Sequence, residues 1–422
     1  MTSEPGLAAH GAADGSPPTS SARPIGARRF PGASLLRRVV HDPGVRSAFF
    51  AFTLTRLIVV GILILTAHVN LNPPENIQGA RDFYLQLDKV PFARDLRATL
   101  HVADINWYLS IAQEGYERRP FDATTPHNWA FFPLFPLLLR FAHKLTGDFV
   151  LTGMAMSSLF FFFALVLFHK TAREFGFDEA DADRSIFYLA CFPTSYFYSL
   201  PLTESLFLFL TVGSFYAARR RAWWVAGALG ALSSATRVNG VLLLPALAVL
   251  YWLTYRPNWR RPQLLSLLLI PAGLALFMSY LYLITGNPLA FKDVLAAWGR
   301  TVGFFLWPFY DYLTNPLTIV VPWSFHTLNA AAAGVGLACG IILLRRRMWS
   351  LAVYTLLSLF VTLSSNLIQS QARYVMVLFP VFMILAVWGR RRRVDEVIRA
   401  LSLVLLSLMT LLFAAHFSIA MS

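Results

Sequence analysis

Residues 149–168 read FVLTGMAMSSLFFFFALVLF, twenty positions without a single charge. A helix of about 20 apolar residues matches the hydrocarbon thickness of a bilayer, and a stretch this long and uncharged exceeds what a soluble core helix needs. Runs of the same kind recur at 47–68, 185–200, 203–219, 223–237, 239–254, 264–284, 327–344, 349–364, 374–389 and 397–417. Over all 422 residues, 56% are hydrophobic and 14% charged, with a mean hydropathy of +0.55. The pattern predicts an all-α polytopic membrane protein, a helical bundle of about 10–13 membrane helices.

The formal charge of +14 is unevenly spread. Arginines cluster at 28–29, 37–38, 219–221, 256–261, 345–347 and 390–393, each beside an apolar run. Lys and Arg gather on the cytoplasmic side of membrane proteins, so these clusters read as topology markers, and nucleic-acid binding is not expected. Residues 1–45 are expected to be a disordered cytoplasmic tail, their first part rich in Ala, Gly, Ser and Pro. Residues 46–422 are expected to form a single membrane-embedded domain, with 69–129 as a large outer loop after an uncleaved first span. The short run 130–145 contains Pro133 and Pro136 and reads as a half-membrane or interfacial helix, because broken backbone is tolerated only where protein or water covers it. The run 303–322 is likewise too interrupted for one clean span. Polar patches at 104–128, 193–204, 285–300 and 364–374 are predicted to gather on one outer face. The two cysteines, Cys191 and Cys339, fall within apolar runs and form no disulfide framework.

Chemistry in such a chain should sit where polar residues are kept against that background. ADINWYLSIAQEGYE, at 103–117, begins an amphipathic helix in the longest polar loop. Asp104 is placed either as a helix N-cap, for which Asp is favoured, or as a general base at the membrane surface; Tyr108, four residues on, shares its helix face. Glu204 opens an apolar run, where a carboxylate stabilises a helix start or marks a functional site. Arg237 and Asn239, in SSATRVNG, and Arg373, in SQARY, fall at outward turns where positive charge is disfavoured. The two arginines read as a phosphate clamp or as ion-pair partners of Asp104 or Glu204. His127 and Asn128 sit between the loop and an aromatic run. Asp181-Ala182-Asp183 matches a DxD pattern but lies in the acidic turn DEADAD, read as a solvated loop. There is no Walker A motif, no GxGxxG after a strand and no HExxH, so no nucleotide cofactor or zinc site is expected.

Taken in order, D-x-x-x-Y-x-x-I-A-x-x-G-Y at 104–116, H-N-x-A-F-F-P-x-F-P at 127–136, F-P-T-S-Y-F-Y-S-x-x-x-T-E-S-L-F at 192–207 and A-T-R-x-N-G at 235–240 resemble the PIG-V family of mannosyltransferases. The resemblance covers roughly residues 50–250, and the C-terminal half is similar to the wider GT-C superfamily through TGNPLAF and SQARY. One position departs: the family has Trp immediately before the loop aspartate, where this chain has Ala103, with Trp107 three residues after Asp104. The resemblance implies a GT-C-like bundle in a bacterial cytoplasmic membrane, with the loop 69–129 catalytic and the active site on the outer face. It implies transfer of a sugar, mannose first, from a polyprenyl-phosphate donor to a lipid or glycan acceptor with inversion. Asp104 would be the base, with Arg237, Asn239, Arg373, His127, Asn128 and Tyr108 binding substrate or phosphate and Glu204 as a second carboxylate. No cofactor is required, and a divalent metal is optional because arginine can stabilise the leaving phosphate. The alternatives are a lipid or sugar transporter, or a GT-C enzyme moving another sugar such as arabinose.

Overall fold

Helix is the only regular structure that a single apolar segment can adopt in lipid with every backbone group bonded internally, and the described chain is built almost wholly from it. The computed structural model describes residues 42–69, 96–97, 99–314 and 325–417. The helices are α1 (Pro43–Val69), α2 (Ala103–Gln113), α3 (Leu134–Ala142), α4 (Phe149–Glu174), α5 (Glu179–Cys191), α6 (Glu204–Arg219), α7 (Trp223–Ser234) and α8 (Leu243–Tyr255), followed by α9 (Ala272–Thr285), α10 (Ala290–Asp293), α11 (Trp307–Thr314), α12 (Phe325–Arg345), α13 (Trp349–Leu363), α14 (Gln371–Met376), α15 (Phe379–Trp388) and α16 (Arg392–Ala414). Single 3₁₀ turns link several of them, notably Ser195–Ser199, Val238–Leu242 and Pro262–Leu269. The chain divides into Met1–Asp42 and Pro43–Ser422, and the second unit holds every helix named here. The expected tail lies, up to residue 41, outside the described residues, as does most of the loop 70–95.

Among the described residues, six segments are long and apolar enough to cross a bilayer: Pro43–Ala67, Phe149–Glu174, Val238–Tyr255, Pro262–Thr285, His326–Arg345 and Arg392–Ala414. The protein is an all-helical multi-pass membrane protein. Shorter apolar helices, Trp349–Leu363 and Phe379–Trp388, accompany them, and some of the apolar runs read in the sequence are divided. The run 185–200 becomes α5, which stops at Cys191, and the 3₁₀ turn Ser195–Ser199. The run 130–145 becomes α3, nine residues long with Pro136 inside it, as a broken, sub-bilayer helix should be. In 303–322 a single short helix, α11, is described, and residues 315–324 lie outside the described residues.

Local signals set the helix ends. The Asp148 carboxylate accepts the Leu151 amide at 2.9 Å to start α4, and Asp178 accepts the Asp181 amide at 2.7 Å to start α5, each satisfying an orphan donor. The charge in the middle of the first span, Arg56, is buried at 5% exposure and donates to the Ser195 carbonyl (2.8 Å), the Ser195 hydroxyl (2.9 Å), the Ser199 hydroxyl (3.0 Å) and the Ala190 carbonyl (3.2 Å).

The bundle has two polar ends. At one, the Leu134 amide reaches the Ala235 carbonyl (3.1 Å), the Phe121 amide the Thr285 carbonyl (3.0 Å) and the Gly303 amide the Ser364 carbonyl (2.7 Å), so the four polar patches do converge. At the other, Arg219 and Arg220 meet Glu174, Trp223 donates to the Tyr255 hydroxyl at 2.9 Å, and Arg390 pairs with Asp178 and Asp181. All the arginine-rich turns among the described residues lie at this second end. The DxD aspartates belong here too. Asp181 is fully buried between Arg184 and Arg390, rather than solvated as its turn suggested.

Candidate functional site

Asp104 occupies the first turn of α2 and is not its cap. The N-cap is Val102, in extended conformation with no side-chain cap bond, and Ala103 between them takes a left-handed φ of 45°. With the cap reading removed, the Asp104 side chain is free to point at a partner. It remains 39% exposed, and its Oδ2 accepts from Arg373 Nη1 at 2.5 Å. The other end of α2 is fastened by Arg140, whose Nε donates to the Ala112 carbonyl at 2.7 Å and whose Nη2 donates to the Ile111 carbonyl at 3.1 Å. These bonds satisfy carbonyls that a helix end leaves open. A trimmed Cβ is all that precedes Asp104. The aromatic bulk instead comes from Trp107, stacked on Phe131 at 5.7 Å and edge-on to Trp298 at 6.0 Å.

From Asp104 a chain of alternating charges runs inward. Arg373, on α14, donates through Nε to Glu204 Oε1 at 2.6 Å, and Arg237 Nη1 donates to the same oxygen at 2.6 Å. Glu204 has no exposure, and its Oε2 has no partner among the described residues. Arg373 lies 4.5 Å over the Phe197 ring and Arg237 lies 5.8 Å from the Tyr374 ring. Burial alone would lower the Arg373 pKa, but Glu204 and then Asp104 outweigh it and raise it, so the guanidinium is held charged. Both arginines therefore take up the ion-pair alternative, and Arg373 pairs with both carboxylates at once. A guanidinium carries five donors, so each arginine retains unused ones.

The remaining expected residues fall in two places. Tyr108 faces the charge chain, its hydroxyl 3.5 Å from the Thr203 hydroxyl, which also accepts from Arg237 at 3.3 Å. Asn239 sits half-buried on the 3₁₀ turn Val238–Leu242, two residues from Arg237, and among the described residues makes no bond to the charge chain. His127 and Asn128 serve the loop itself. His127 Nδ1 lies 2.7 Å from Glu117 Oε2, with its ring 4.3 Å from that of Trp129, and Asn128 accepts the Glu117 amide at 3.2 Å and donates to the Gly115 carbonyl at 3.1 Å. Beside them, the Thr124 backbone amide and then its hydroxyl hold the Asp122 carboxyl below its usual range. The sequence reading passed over Arg300, which donates to the Tyr374 hydroxyl (3.2 Å) and the Ser370 hydroxyl (3.5 Å) and brings a third guanidinium to this end. Its signal was a lone arginine closing an outer polar patch. Among the described residues no three His, Cys, Asp or Glu side chains come together as a metal ion would need.

The arrangement is thus a part-exposed carboxylate at the mouth, two buried arginines behind it and an aromatic wall beside it. Such a set can take a proton from a hydroxyl and hold a phosphate. A profile of the family described as "Mannosyltransferase (PIG-V)" matches residues 50–256, which hold Asp104, Glu204 and Arg237. A GPI alpha-1,6-mannosyltransferase 2 from Cricetulus griseus is 31% identical over 150 residues, a match that takes in 33% of this chain and 29% of that relative. Among solved structures, the apo oligosaccharyltransferase of Archaeoglobus fulgidus aligns with a TM-score of 0.47 at 15% identity, over 87% of this chain and 55% of that one. The same organism's enzyme in complex with an inhibitory peptide and a dolichol-phosphate aligns with a TM-score of 0.40 at 14% identity, over the same shares. The chain thus spans less than a third of the matched relative and about half of these structures.

Proposed function

We propose, for a chain whose residues 50–256 place it in the PIG-V mannosyltransferase family, that it transfers mannose from a polyprenyl-phosphate donor to an acceptor hydroxyl with inversion, Asp104 acting as general base. The observation that carries this reading is the 2.5 Å pair between Asp104 and Arg373 at the mouth of the charge chain. Arg373 is paired with Asp104 as well as with Glu204. When the acceptor hydroxyl attacks the anomeric carbon, its proton moves to Asp104, the bond from that carbon to the phosphate oxygen breaks, and the polyprenyl phosphate leaves with one more negative charge. Charge thus disappears from Asp104 as it appears on the phosphate, and Arg373 stands where it can exchange one partner for the other. Glu204 holds Arg373 and Arg237 in place throughout, so the donors are preorganised for the leaving group. A phosphate is a good leaving group, and the scheme needs no general acid.

Exposed apolar helix faces offer the prenyl chain a lipid-side approach, and the aromatic wall of Trp107, Phe131 and Trp298 suits the face of a sugar ring. We assign the site end to the outer face of a bacterial cytoplasmic membrane, because the arginine-rich turns among the described residues lie at the other end. The acceptor is a lipid or glycan hydroxyl.

The test is transfer by the detergent-purified protein from radiolabelled polyprenyl-phosphate mannose to a panel of lipid and glycan acceptors. Mannosylated product is expected, and D104N should lose at least about 100-fold in rate, the scale of general-base catalysis, with the protein still folded. Near-normal turnover in D104N would remove the base assignment. Movement of labelled lipid across vesicles with no glycosidic product from any acceptor would replace the enzyme by a transporter.

A further inference from the structure

Opposite the charge chain, at the arginine end of the bundle, a cavity of about 430 Å³ opens between the ends of α6, α8 and α13. That volume falls in the range of small-ligand sites. Three arginines line it, Arg219, Arg221 and Arg347, over a floor that includes Leu250, Leu253 and Trp349. We propose that this cavity binds the phosphate headgroup of an anionic phospholipid, through Arg221 and Arg347 with Arg219 beside them.

Arginine at a cytoplasmic helix end needs no ligand to explain it, so the case rests on how these differ from their neighbours. Arg220, Arg390, Arg392 and Arg399, at the same end, each pair with a carboxylate. Arg221 and Arg347 reach none among the described residues, and neither do Arg345, Arg346, Arg391 and Arg393, so pairing alone does not single them out. Arg219 is fixed by the Glu174 carbonyl and by the Phe175 ring, 4.9 Å from its guanidinium, and keeps further donors.

The backbone makes the distinction. At the end of α6 the Ala222 amide bonds the Ala217 carbonyl and the Arg221 amide the Ala218 carbonyl; at the end of α12 the Met348 amide bonds the Leu343 carbonyl and the Arg347 amide the Leu344 carbonyl. In this helix-ending motif the left-handed residue is usually glycine. Here Arg221 has φ 61° and Arg347 φ 58°. Two ends of the same bonding pattern, at Gly176 and Gly299, do use glycine. A third uses His416, whose ring lies 3.0 Å from the Thr99 carbonyl, so its side chain is engaged. Twice, then, arginine stands in a position that disfavours it, and both side chains line one cavity.

Depth in the membrane fits a lipid headgroup. Trp224, Trp252, Trp349 and Trp388 are 53, 49, 43 and 38% exposed at this end of the bundle. Exposed tryptophans mark the level where acyl chains meet headgroups, and basic pockets between helices there suit acidic lipid phosphates.

Native mass spectrometry of the detergent-purified protein, titrated with dioleoyl phosphatidylglycerol and separately with dioleoyl phosphatidylcholine, tests this. Phosphatidylglycerol should bind at least about tenfold tighter, and R221N/R347N should weaken it about 25-fold, about fivefold per arginine. Asn accepts the left-handed backbone, and the single variants, each expected to lose about fivefold, give a second reading should the double variant not fold. R392N/R393N removes equal charge at the same end outside the cavity and should leave affinity unchanged. The proposal is overturned by equal binding of the two lipids, by tight phosphatidylglycerol binding in the variants, or by an equal loss in R392N/R393N. Full displacement of the lipid by millimolar inorganic phosphate would overturn it in favour of a free anion.

Discussion

Glu204 is fully buried, yet two guanidinium groups bond one of its oxygens at 2.6 Å. Its charge offsets the burial of both arginines. Removing one member of a buried ion network leaves the others uncompensated and costs about 3–5 kcal/mol. E204Q should therefore lower the unfolding free energy in detergent by about that much. D104N should cost no more than about 1 kcal/mol, because Asp104 is part-exposed and screened. An E204Q protein as stable as the wild type in thermal denaturation would show that the arginines do not depend on this carboxylate. At this scale the sequence was informative about which residues matter, since Asp104, Glu204, Arg237 and Arg373 stand out as charges in an apolar chain. It offered ion pairs of the two arginines with Asp104 or Glu204 as one alternative and did not fix which arginine meets which carboxylate. Glu204 and Arg373 are 169 positions apart and Asp104 and Arg373 are 269, so each pairing is a product of tertiary packing. The choice between cap and free carboxylate at Asp104 turned on the φ of Ala103, which residue type does not encode.

Among the elements, α7 and α9 pack backbone to backbone. A Cβ built on Gly273 would overlap the Ala231 carbonyl oxygen. The Ser234 hydroxyl donates to the Ile270 carbonyl at 2.6 Å across the same contact. Backbone cannot yield there without separating the helices. G273A should destabilise the protein by about 1–3 kcal/mol, the usual cost of overpacking. On α12, a Cβ at Gly334 meets nothing within 4 Å. G334A should be neutral or stabilising by up to about 1 kcal/mol, because alanine loses less backbone freedom in a helix. Melting temperatures in detergent check both signs, and a shift in the same direction for the two would refute the packing account. Hydropathy located nearly every helix but overestimated the length of several. Where α3 and α5 end early, apolar residues continue into turns buried by protein, as at Tyr196 and Tyr198, and burial by protein and burial by lipid look alike in composition.

Over the described residues, the candidate site lies at one end and the arginine-rich turns at the other. If the arginine end faces the cytoplasm, cysteines replacing Lys292 or Ala296, both exposed at the site end, should react with an impermeant thiol reagent added outside intact cells. Cysteines at Ala222 or Arg346, exposed at the opposite end, should not. The native thiols, Cys191 and Cys339, are buried and add little background. Labelling of Ala222 and Arg346 alone would reverse the orientation and carry the candidate site to the cytoplasm. Arg56 adds a constraint in time. The ribosome makes α1 before most of the groups that satisfy this arginine, since those from Ala190 to Ser199 are synthesised 134–143 residues later. Until they emerge, the guanidinium has only the adjacent Thr55 hydroxyl, at 3.4 Å, and then the Phe161 ring, at 4.8 Å, and the nascent segment is a poor anchor by itself. The span becomes secure only when the chain has passed Ser199, so membrane integration of α1 is completed from well downstream of it.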